Sequence, residues 1–599
     1  MEQEIRRATK GDTVKVNFTC TLKDGAVYDS SEGKEPLEFV IGEGEVFPSL
    51  EKAVIGMTKN ESKKIQIQAE NVFGPYLKEK AQVVDRDQFP ENLAPEVGLQ
   101  FHIKQEDGKT SVLTVTDVTD EKVTLTPNHP FAGEELFFDI QLLELEQSDK
   151  SKADERYKQG IAAQDKGLYD EAISSYQEAI RLNPNYGEAF YNLGVALQEK
   201  GHIDQAIVHY EIAIGLNQNF AEAHYNLGIA FKDRGQPDEA VHCFQRVLQL
   251  NPNHAGAYYN FGGILVSGGK YEEALQCYRK ALELKPDYAE AQWNIALINL
   301  LHGRFEEGWR GYERRWQLEG VSVPRNFSQP RWDGSDITGR TILLYAEQGF
   351  GDTIQFVRYA PMVARRGAKV IIECQKELTS LLQNTEEVQK VVAYGESLPR
   401  FDVQCPLLSL PLMFGTTIEN IPSQIPYVTV NAGPVKEWND KIRNDISKLK
   451  IGLIWAGDPS LKDDRIRSCS IESFSPLVLS DDISFYSLQK GPAAEQSNTP
   501  PDGMKFYDYT EGLNDFEDTA ALISNIDLVV SVDTAVAHLA GALGKPVWTL
   551  LPFVPDWRWM LERENSPWYP SMRLFRQPSP GDWESVILRI KEALKELVH

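Results

Sequence analysis

Cysteine is scarce in this sequence: Cys20, Cys243, Cys277, Cys374, Cys405 and Cys469 are the only six in 599 residues, and none forms a C-x-x-C pair. That spacing argues against a disulfide framework and a zinc site, and leaves the thiols as small apolar core residues. Long apolar runs are missing too. No stretch nears the roughly 18 consecutive apolar residues of a membrane-spanning helix, and Met1 to Lys10 is charged, without the apolar segment of a leader. Positive charge is in deficit, with 62 Lys and Arg against 88 Asp and Glu; the formal charge of −26 repels phosphate backbones. No Pro/Gly/Ser tract forces disorder. These absences set the expectations: a cytoplasmic chain with no membrane insertion, no nucleic acid and no metal.

What is present is enough for several domains. A chain of 599 residues exceeds a single hydrophobic core and should divide into about four globular units. Three regions with different periodicities succeed one another: 1–147, 150–320 and 330–599.

The first region is β-rich. Gly11 to Leu22 alternates as a strand through Val14, Val16 and Phe18, Asp24-Gly25 turns it, and Leu37 to Ile41 is extended. Phe47 to Ala53 is a short helical candidate, and Leu136 to Leu145 closes the region as an apolar strand. The segments GDTVKVNFTCTLKDGAVYDSS, PLEFVIGEGEVFPSLEKAVIGM and NHPFAGEELFFDIQLLEL resemble, in order, the SlyD-like branch of the FKBP family of prolyl isomerases. The resemblance implies an α+β fold and a proline pocket of Phe18, Tyr28, Asp29, Phe39, Val46, Phe47, Leu50, Tyr76, His129 and Phe138. Leu50 stands where the best-known members carry tryptophan, which implies a shallower floor. Such a pocket needs no nucleophile and no cofactor. The barrier of roughly 18–20 kcal/mol comes from amide resonance; apolar aromatics such as Phe39 and Phe138 desolvate the X-Pro bond, and a polar group such as Tyr28 or Asp29 favours the twisted form. Residues 77–127 have a strand pattern of their own (Val112, Leu113, Val115, Val118, Val123, Leu125) with turns at Asp107-Gly108 and Asp120. They resemble the chaperone insert in the flap of SlyD-like proteins, which implies unfolded or proline-containing clients.

The second region repeats every 34 residues. Gly167, Gly201, Gly235, Gly269 and Gly303 keep that spacing, as do Ala172, Ala206, Ala240 and Ala274. Glycine ends the first helix of each unit, alanine allows close helix contact, and Pro184, Pro252 and Pro286 come after the second helix, which is the logic of tetratricopeptide repeats. About five repeats are expected, the last (FEEGWRGYERRWQ) atypical and suited to docking on the next domain. Asn192, Asn226, Asn260 and Asn294 share the period. A ladder of amides can bind the backbone of an extended protein acceptor, or it can bridge neighbouring helices; the spacing alone leaves both open.

The third region switches to strand, Gly-rich turn and helix. TILLYAEQGFGD leads into TIQFVRYAPMVARRG and a second strand, and a second such half begins at KIGLIWAG and includes NIDLVVSVDTAVAHLAGALGKPVWTLL. Ile526 to Val532 reads as a buried strand, and Thr534 as the cap of a helix whose free N–H groups suit a diphosphate. AEQGFGDTIQFVRY and SVDTAVAHLAGALGKPVW resemble family 9 glycosyltransferases, heptosyltransferase-like GT-B enzymes of double Rossmann-like α/β fold. The resemblance implies an acceptor half (about 338–430), a donor half (about 448–575) and a nucleotide-sugar donor in the cleft between them, with no metal. By motif, the resemblance implies that Asp352 is the general base and that Gly351, Asp533, Thr534, Ala535 and His538 bind the donor; Ala535 stands where many relatives have Gly. Lys462, Arg465 and Arg467 lie just after a strand end and could neutralise the leaving diphosphate. Asp352 also has a capping role open to it, just before an apolar helix.

The combined reading is a prolyl isomerase and chaperone joined by repeats that present a protein acceptor to a glycosyltransferase. The rival is a chaperone scaffold whose last domain keeps the fold without the chemistry.

Overall fold

The computed structural model describes residues 6–598 apart from 69–70, 72–74, 90–92, 105–109, 130–131 and 462–463. The chain forms two compact units, Met1–Arg234 and Gly235–His599.

In the first unit, β1 (Thr13–Thr21), β2 (Val27–Ser30), β3 (Leu37–Val40), β4 (Ser62–Ile67) and β9 (Leu136–Glu146) form an antiparallel sheet in the order β2-β1-β9-β4, with β3 also on β1. The alternation read from the sequence is the cause. Val14 and Val16 of β1 and Leu136, Ile140 and Leu142 of β9 are fully buried, while their neighbours reach solvent. The helix α1 (Pro48–Val54) covers this face with Leu50, Ala53 and Val54. Between β4 and β9 the chain leaves the sheet and builds a second antiparallel one from β5 (Gln82–Asp85), β6 (Gln100–Lys104), β7 (Thr110–Val118) and β8 (Lys122–Thr126), in the order β5-β8-β7-β6. It has its own small core, Val115, Val123 and Leu125 beside a Phe89–Phe101 ring pair at 5.5 Å. The turn expected at Asp107-Gly108 lies outside the described residues. Asn128 closes the neck of this insert: its Nδ2 donates to the Leu77 carbonyl (3.0 Å) and its Oδ1 accepts from the Leu77 N–H (3.3 Å).

Ten helices come next in chain order. The first unit holds α2 (Asp149–Gln164), α3 (Tyr169–Leu182), α4 (Gly187–Glu199), α5 (Ile203–Leu216) and α6 (Ala221–Asp233). The second begins with α7 (Pro237–Leu250), α8 (Ala255–Ser267), α9 (Tyr271–Leu284), α10 (Ala289–Leu301) and α11 (Phe305–Tyr312). The 34-residue period has two physical causes here. Gly167, Gly201, Gly235, Gly269 and Gly303 all have φ between +73° and +80°, a conformation that glycine adopts without strain. A Cβ on Gly160, Gly194 or Gly262 would lie 2.4, 2.6 or 2.7 Å from the ring of Tyr176, Tyr210 or Tyr278, so the small residue lets the paired helices close.

The rest of the second unit is two parallel sheets. One runs β12-β11-β10-β13 from β10 (Thr341–Tyr345), β11 (Lys369–Cys374), β12 (Val388–Ala393) and β13 (Val403–Pro406). The other runs β16-β15-β14-β17-β18-β19 from β14 (Leu449–Ile454), β15 (Ile483–Ser487), β16 (Phe506–Tyr507), β17 (Leu528–Val532), β18 (Val547–Leu551) and β19 (Met572–Arg576). Strands such as β17 and β18 are buried at every position, as parallel strands covered on both faces must be.

No gap separates the fifth repeat from these sheets. Trp309 of α11 shares one core with Phe356, Trp557 and Trp568, and its Nε1 donates to the Thr416 carbonyl at 3.0 Å. Arg315, fully buried, donates through Nε and Nη2 to both Glu347 oxygens (3.0 and 2.9 Å) and through Nη1 to Glu313 (2.7 Å). The last repeat and the parallel sheets therefore share one hydrophobic core.

Candidate active sites

The proline pocket nominated from the sequence is partly assembled. Phe138 lies at its centre, with Phe18 at 6.0 Å and Phe47 at 6.4 Å between ring centroids. Phe39 and Leu50 are each 2% exposed and belong to the same core, with Val46 packed at its edge. Tyr28, Tyr76 and His129 stand at the surface. Tyr76 is seated by Gly133, where an added Cβ would come within 3.1 Å of the tyrosine Cβ, and both it and His129 adjoin the Leu77–Asn128 neck. Asp29 is placed differently from the aromatics. Its side chain is half exposed, accepts from Lys34 Nζ at 3.0 Å and from the Ser30 N–H at 2.8 Å, and Lys34 holds its carboxyl below the usual range.

The second site is a cavity of about 1020 Å³ at the C-terminal ends of both parallel sheets. In open α/β sheets that edge is where loops leave strands and backbone N–H groups are free, hence where ligands bind. After β10 the chain turns through Gln348 and Gly349 into the helix Phe350–Phe356, placing Asp352 in its first turn. After β17 it turns through Asp533 and Thr534 into the helix Ala535–Ala542. The two helices meet at Gly351. A Cβ there would lie 2.9 Å from His538 Cδ2 and 3.5 Å from Ala535 Cα, so the glycine lets the halves touch. Gly351, Asp352, Asp533, Thr534, Ala535 and His538 therefore line one cavity.

Asp352 does two jobs at once. Its Oδ2 accepts from the Gly349 N–H at 3.1 Å, capping its helix, and its Oδ1 pairs with Arg558. Burial raises its carboxyl against the pull of Arg558, which strengthens it as a base. Asp533 is pushed up to about 6 by burial and then by Asp556, and accepts from Trp559 Nε1 at 2.8 Å. His538 is held far below its ordinary value by burial and then by Arg558 and Arg358, so its imidazole is neutral. Thr534 takes the N-cap position, but its hydroxyl bonds Ser531 Oγ (3.1 Å) and does not cap the helix.

The basic cluster divides. Arg467 lines the cavity, Arg465 is exposed outside it, and Lys462 lies outside the described residues. Residues 464–467 form a single helical turn, which sends neighbouring side chains in different directions. Arg558, which sequence reasoning missed, is the cation at the centre. It pairs with Asp352, donates to Asp556 (2.9 Å) and Gln355 (2.6 Å), and stacks 4.4 Å from the Trp557 ring. Its one local signal is the run DWRW after an apolar strand. Gln489 was missed as well: its buried amide accepts from the N–H groups of Trp455 and Ala456 (3.0 and 2.9 Å) and donates to the carbonyls of Ala456 and Lys490 (3.0 and 2.8 Å), fixing two of the loops that frame the cavity. The repeats contribute a wall: Trp293 and Leu297 of α10, and Tyr312, whose ring lies 4.6 Å from that of Trp293.

The asparagine ladder is largely spoken for. Asn192 and Asn226 donate to Tyr157 and Tyr191 hydroxyls (2.8 and 3.1 Å), Asn294 to Tyr278 (3.3 Å), and Asn260, buried, to the Gly256 carbonyl (3.1 Å). The first two tyrosines belong to the first helix of the preceding repeat, so those amides bridge repeats, as the less specific of the two readings had it.

Comparison with known proteins agrees with this layout. The FKBP-type peptidyl-prolyl cis-trans isomerase model matches residues 5–143. Tetratricopeptide models match 164–201, 198–235, 221–254, 243–276 and 262–303, and the glycosyltransferase family 9 (heptosyltransferase) model matches 512–557. SlyD, an FKBP-type isomerase of Treponema pallidum, is 37% identical over 127 residues, 21% of this chain and 72% of that one. The short-type peptidyl-prolyl cis-trans isomerase of Methanocaldococcus jannaschii is 32% identical over 160 residues, 24% of this chain and 98% of that one. Protein FlbA of Caulobacter vibrioides is 28% identical over 306 residues, 47% of this chain, and the match spans about half (49%) of FlbA. Through its N-terminal region the chain belongs to the FKBP-type peptidyl-prolyl cis-trans isomerases. That SlyD-like region is fused to tetratricopeptide repeats and to an α/β region whose family 9 match covers Asp533 to Trp557 but not Asp352.

Proposed function

We propose that the chain joins prolyl isomerisation and client holding at one end to metal-free sugar transfer from a nucleotide donor at the other, with a polypeptide as acceptor. The observation that carries the second activity is that one cavity holds Asp352, from the helix after β10, together with Asp533 and His538, from the turn and helix after β17. In this reading Asp352 takes the proton of the acceptor hydroxyl as the glycosidic bond forms, Asp533, Thr534 and His538 hold the donor, and Arg467 faces the departing diphosphate. Trp293, Leu297 and Tyr312 make the fifth repeat part of the acceptor side, which favours an acceptor delivered by the repeats. The apolar side chains exposed on the insert, Val83, Val97 and Val112 among them, suit an unfolded client. Six thiols with no disulfide among them fit a reducing, cytoplasmic setting.

A panel of sugar nucleotides, screened by thermal shift and by donor hydrolysis with the full-length protein, tests the reading. Stabilisation and turnover by one nucleotide class are expected. Silence across the panel returns the last domain to the scaffold role. The isomerase half is checked separately, on refolding of a substrate limited by an X-Pro bond.

A further inference from the structure

Arg358 is a buried cation without an acid. It is 4% exposed, and among the described residues its guanidinium donates only to neutral groups: the carbonyls of Gln355 (2.8 Å), Pro422 (3.1 Å) and Trp568 (2.7 Å) and the hydroxyl of Tyr427 (2.9 Å). It lies 4.4 Å from the Tyr427 ring and 4.6 Å from the Tyr569 ring. Placing an unpaired charge in the interior costs several kcal/mol even after relaxation, and its field is not cancelled locally. It acts on whatever stands beyond the two tyrosines, and that is His538: Tyr569 Oη is 2.9 Å from His538 Nδ1.

The hydrogen-bond distances order the protons. Tyr427 accepts from Arg358 and gives its own proton to the Ile354 carbonyl at 3.0 Å, a better fit than the 3.4 Å to Tyr569. Tyr569 is then left with His538 Nδ1 as its acceptor. With Nδ1 accepting from Tyr569, the single proton of the neutral ring stands on Nε2. Trp559 stacks on that ring with centroids 5.2 Å apart, and an added Cβ on Gly351 would sit 3.5 Å from Nε2, so this nitrogen is aimed at the junction of the two cleft helices.

We infer that Arg358, Tyr427 and Tyr569 form a buried positioning array that keeps the His538 proton on Nε2, making that nitrogen a hydrogen-bond donor to an anionic group in the cleft, the diphosphate of a nucleotide sugar. The ligand rests on the donor-site reading above; the tautomer does not. Burial first, and then Arg558 and Arg358, disfavour a second proton, so the donor is a neutral N–H.

The test uses full-length protein labelled with ¹⁵N-histidine, with His538→Gln to assign the signal. A pyridine-type Nδ1 and a pyrrole-type Nε2 are expected from pH 6 to 8, with Nε2 shifting on addition of pyrophosphate or of a sugar nucleotide from the panel. Tyr569→Phe keeps the ring but should mix the tautomers and weaken pyrophosphate binding about fivefold, the loss of one hydrogen bond. Arg358→Gln should release Tyr427 and Tyr569 and mix the tautomers, and Arg358→Lys should restore the single tautomer. A pyrrole-type Nδ1 or an imidazolium at pH 7 in the unmodified protein overturns the array, as does an unchanged spectrum in Tyr569→Phe. The expected tautomer with no response to pyrophosphate or to any sugar nucleotide overturns the donor-site reading and the proposed ligand.

Discussion

Asp29 sits half exposed beside Lys34, whereas Asp352 and Asp533 lie with two arginines inside a cavity. The two regions handle charge in opposite ways. Rotating an X-Pro bond moves no proton and forms no ion, so an apolar enclosure built on Phe138, Phe18 and Phe39 is enough. Sugar transfer, the reaction proposed for the cavity, would create charge on a departing diphosphate and need a base, and both would act most strongly where water is excluded. A carboxylate is thus informative by its surroundings, not by its presence.

The largest expected effect breaks this contrast at the buried end. Asp352→Asn should lower transfer by about 10²–10⁴-fold, the range for a positioned general base, while donor binding and prolyl isomerisation persist; initial rates with the donor found by the panel decide it. Trp309→Ala should destabilise the second unit by about 3–5 kcal/mol, as for large aromatic deletions, seen as an early melting transition with isomerase activity retained. Phe47→Ala, at a residue 37% exposed, should reduce isomerase kcat/KM about tenfold, equivalent to about 1.4 kcal/mol, measured on an X-Pro peptide.

The next effect is a pH dependence. The folded chain holds the Asp533 proton up to about pH 6 where an ordinary aspartate loses it near 3.8. The stability this confers is complete below 3.8 and is lost as pH rises through 6. Asp533→Asn should therefore raise the melting temperature more at pH 7.5 than at pH 5, by about 2–4 °C. The smallest effect is Asp29→Asn, which should change isomerase kcat/KM by less than about twofold, since an exposed ion pair contributes little. A tenfold loss there would erase the contrast between the two sites.

Much of this was legible because local chemistry and fold agree. The alternation at Val14 and Val16, the glycines every 34 residues and the all-apolar run of β17 each report a constraint acting on their own neighbours. Asp352 and His538 were readable because each lies one turn beyond a strand end. Arg558 was not, since its importance comes from meeting Asp352, a residue 206 positions away, across two sheets. Arg315 looked like one charge among several in GYERRWQ, and only the packing of the fifth repeat against β10 and its loop shows it fully buried. Arg465 misled for the converse reason: proximity in sequence to Arg467 says nothing of direction on a single helical turn.

The Asn128 clamp on Leu77 has a consequence of scale. Both chain ends of the insert pass through one pair of hydrogen bonds next to Tyr76 and His129, so the insert is a tethered arm rooted at the edge of the pocket. A polypeptide resting on that arm is confined near the catalytic surface, at an effective concentration that short tethers set in the millimolar range. Weak, unselective contacts on the insert then suffice. If the insert holds clients as proposed, each proline of the held segment meets the pocket repeatedly before the chain escapes, and turnover then depends on dwell time on the arm more than on affinity at the pocket itself.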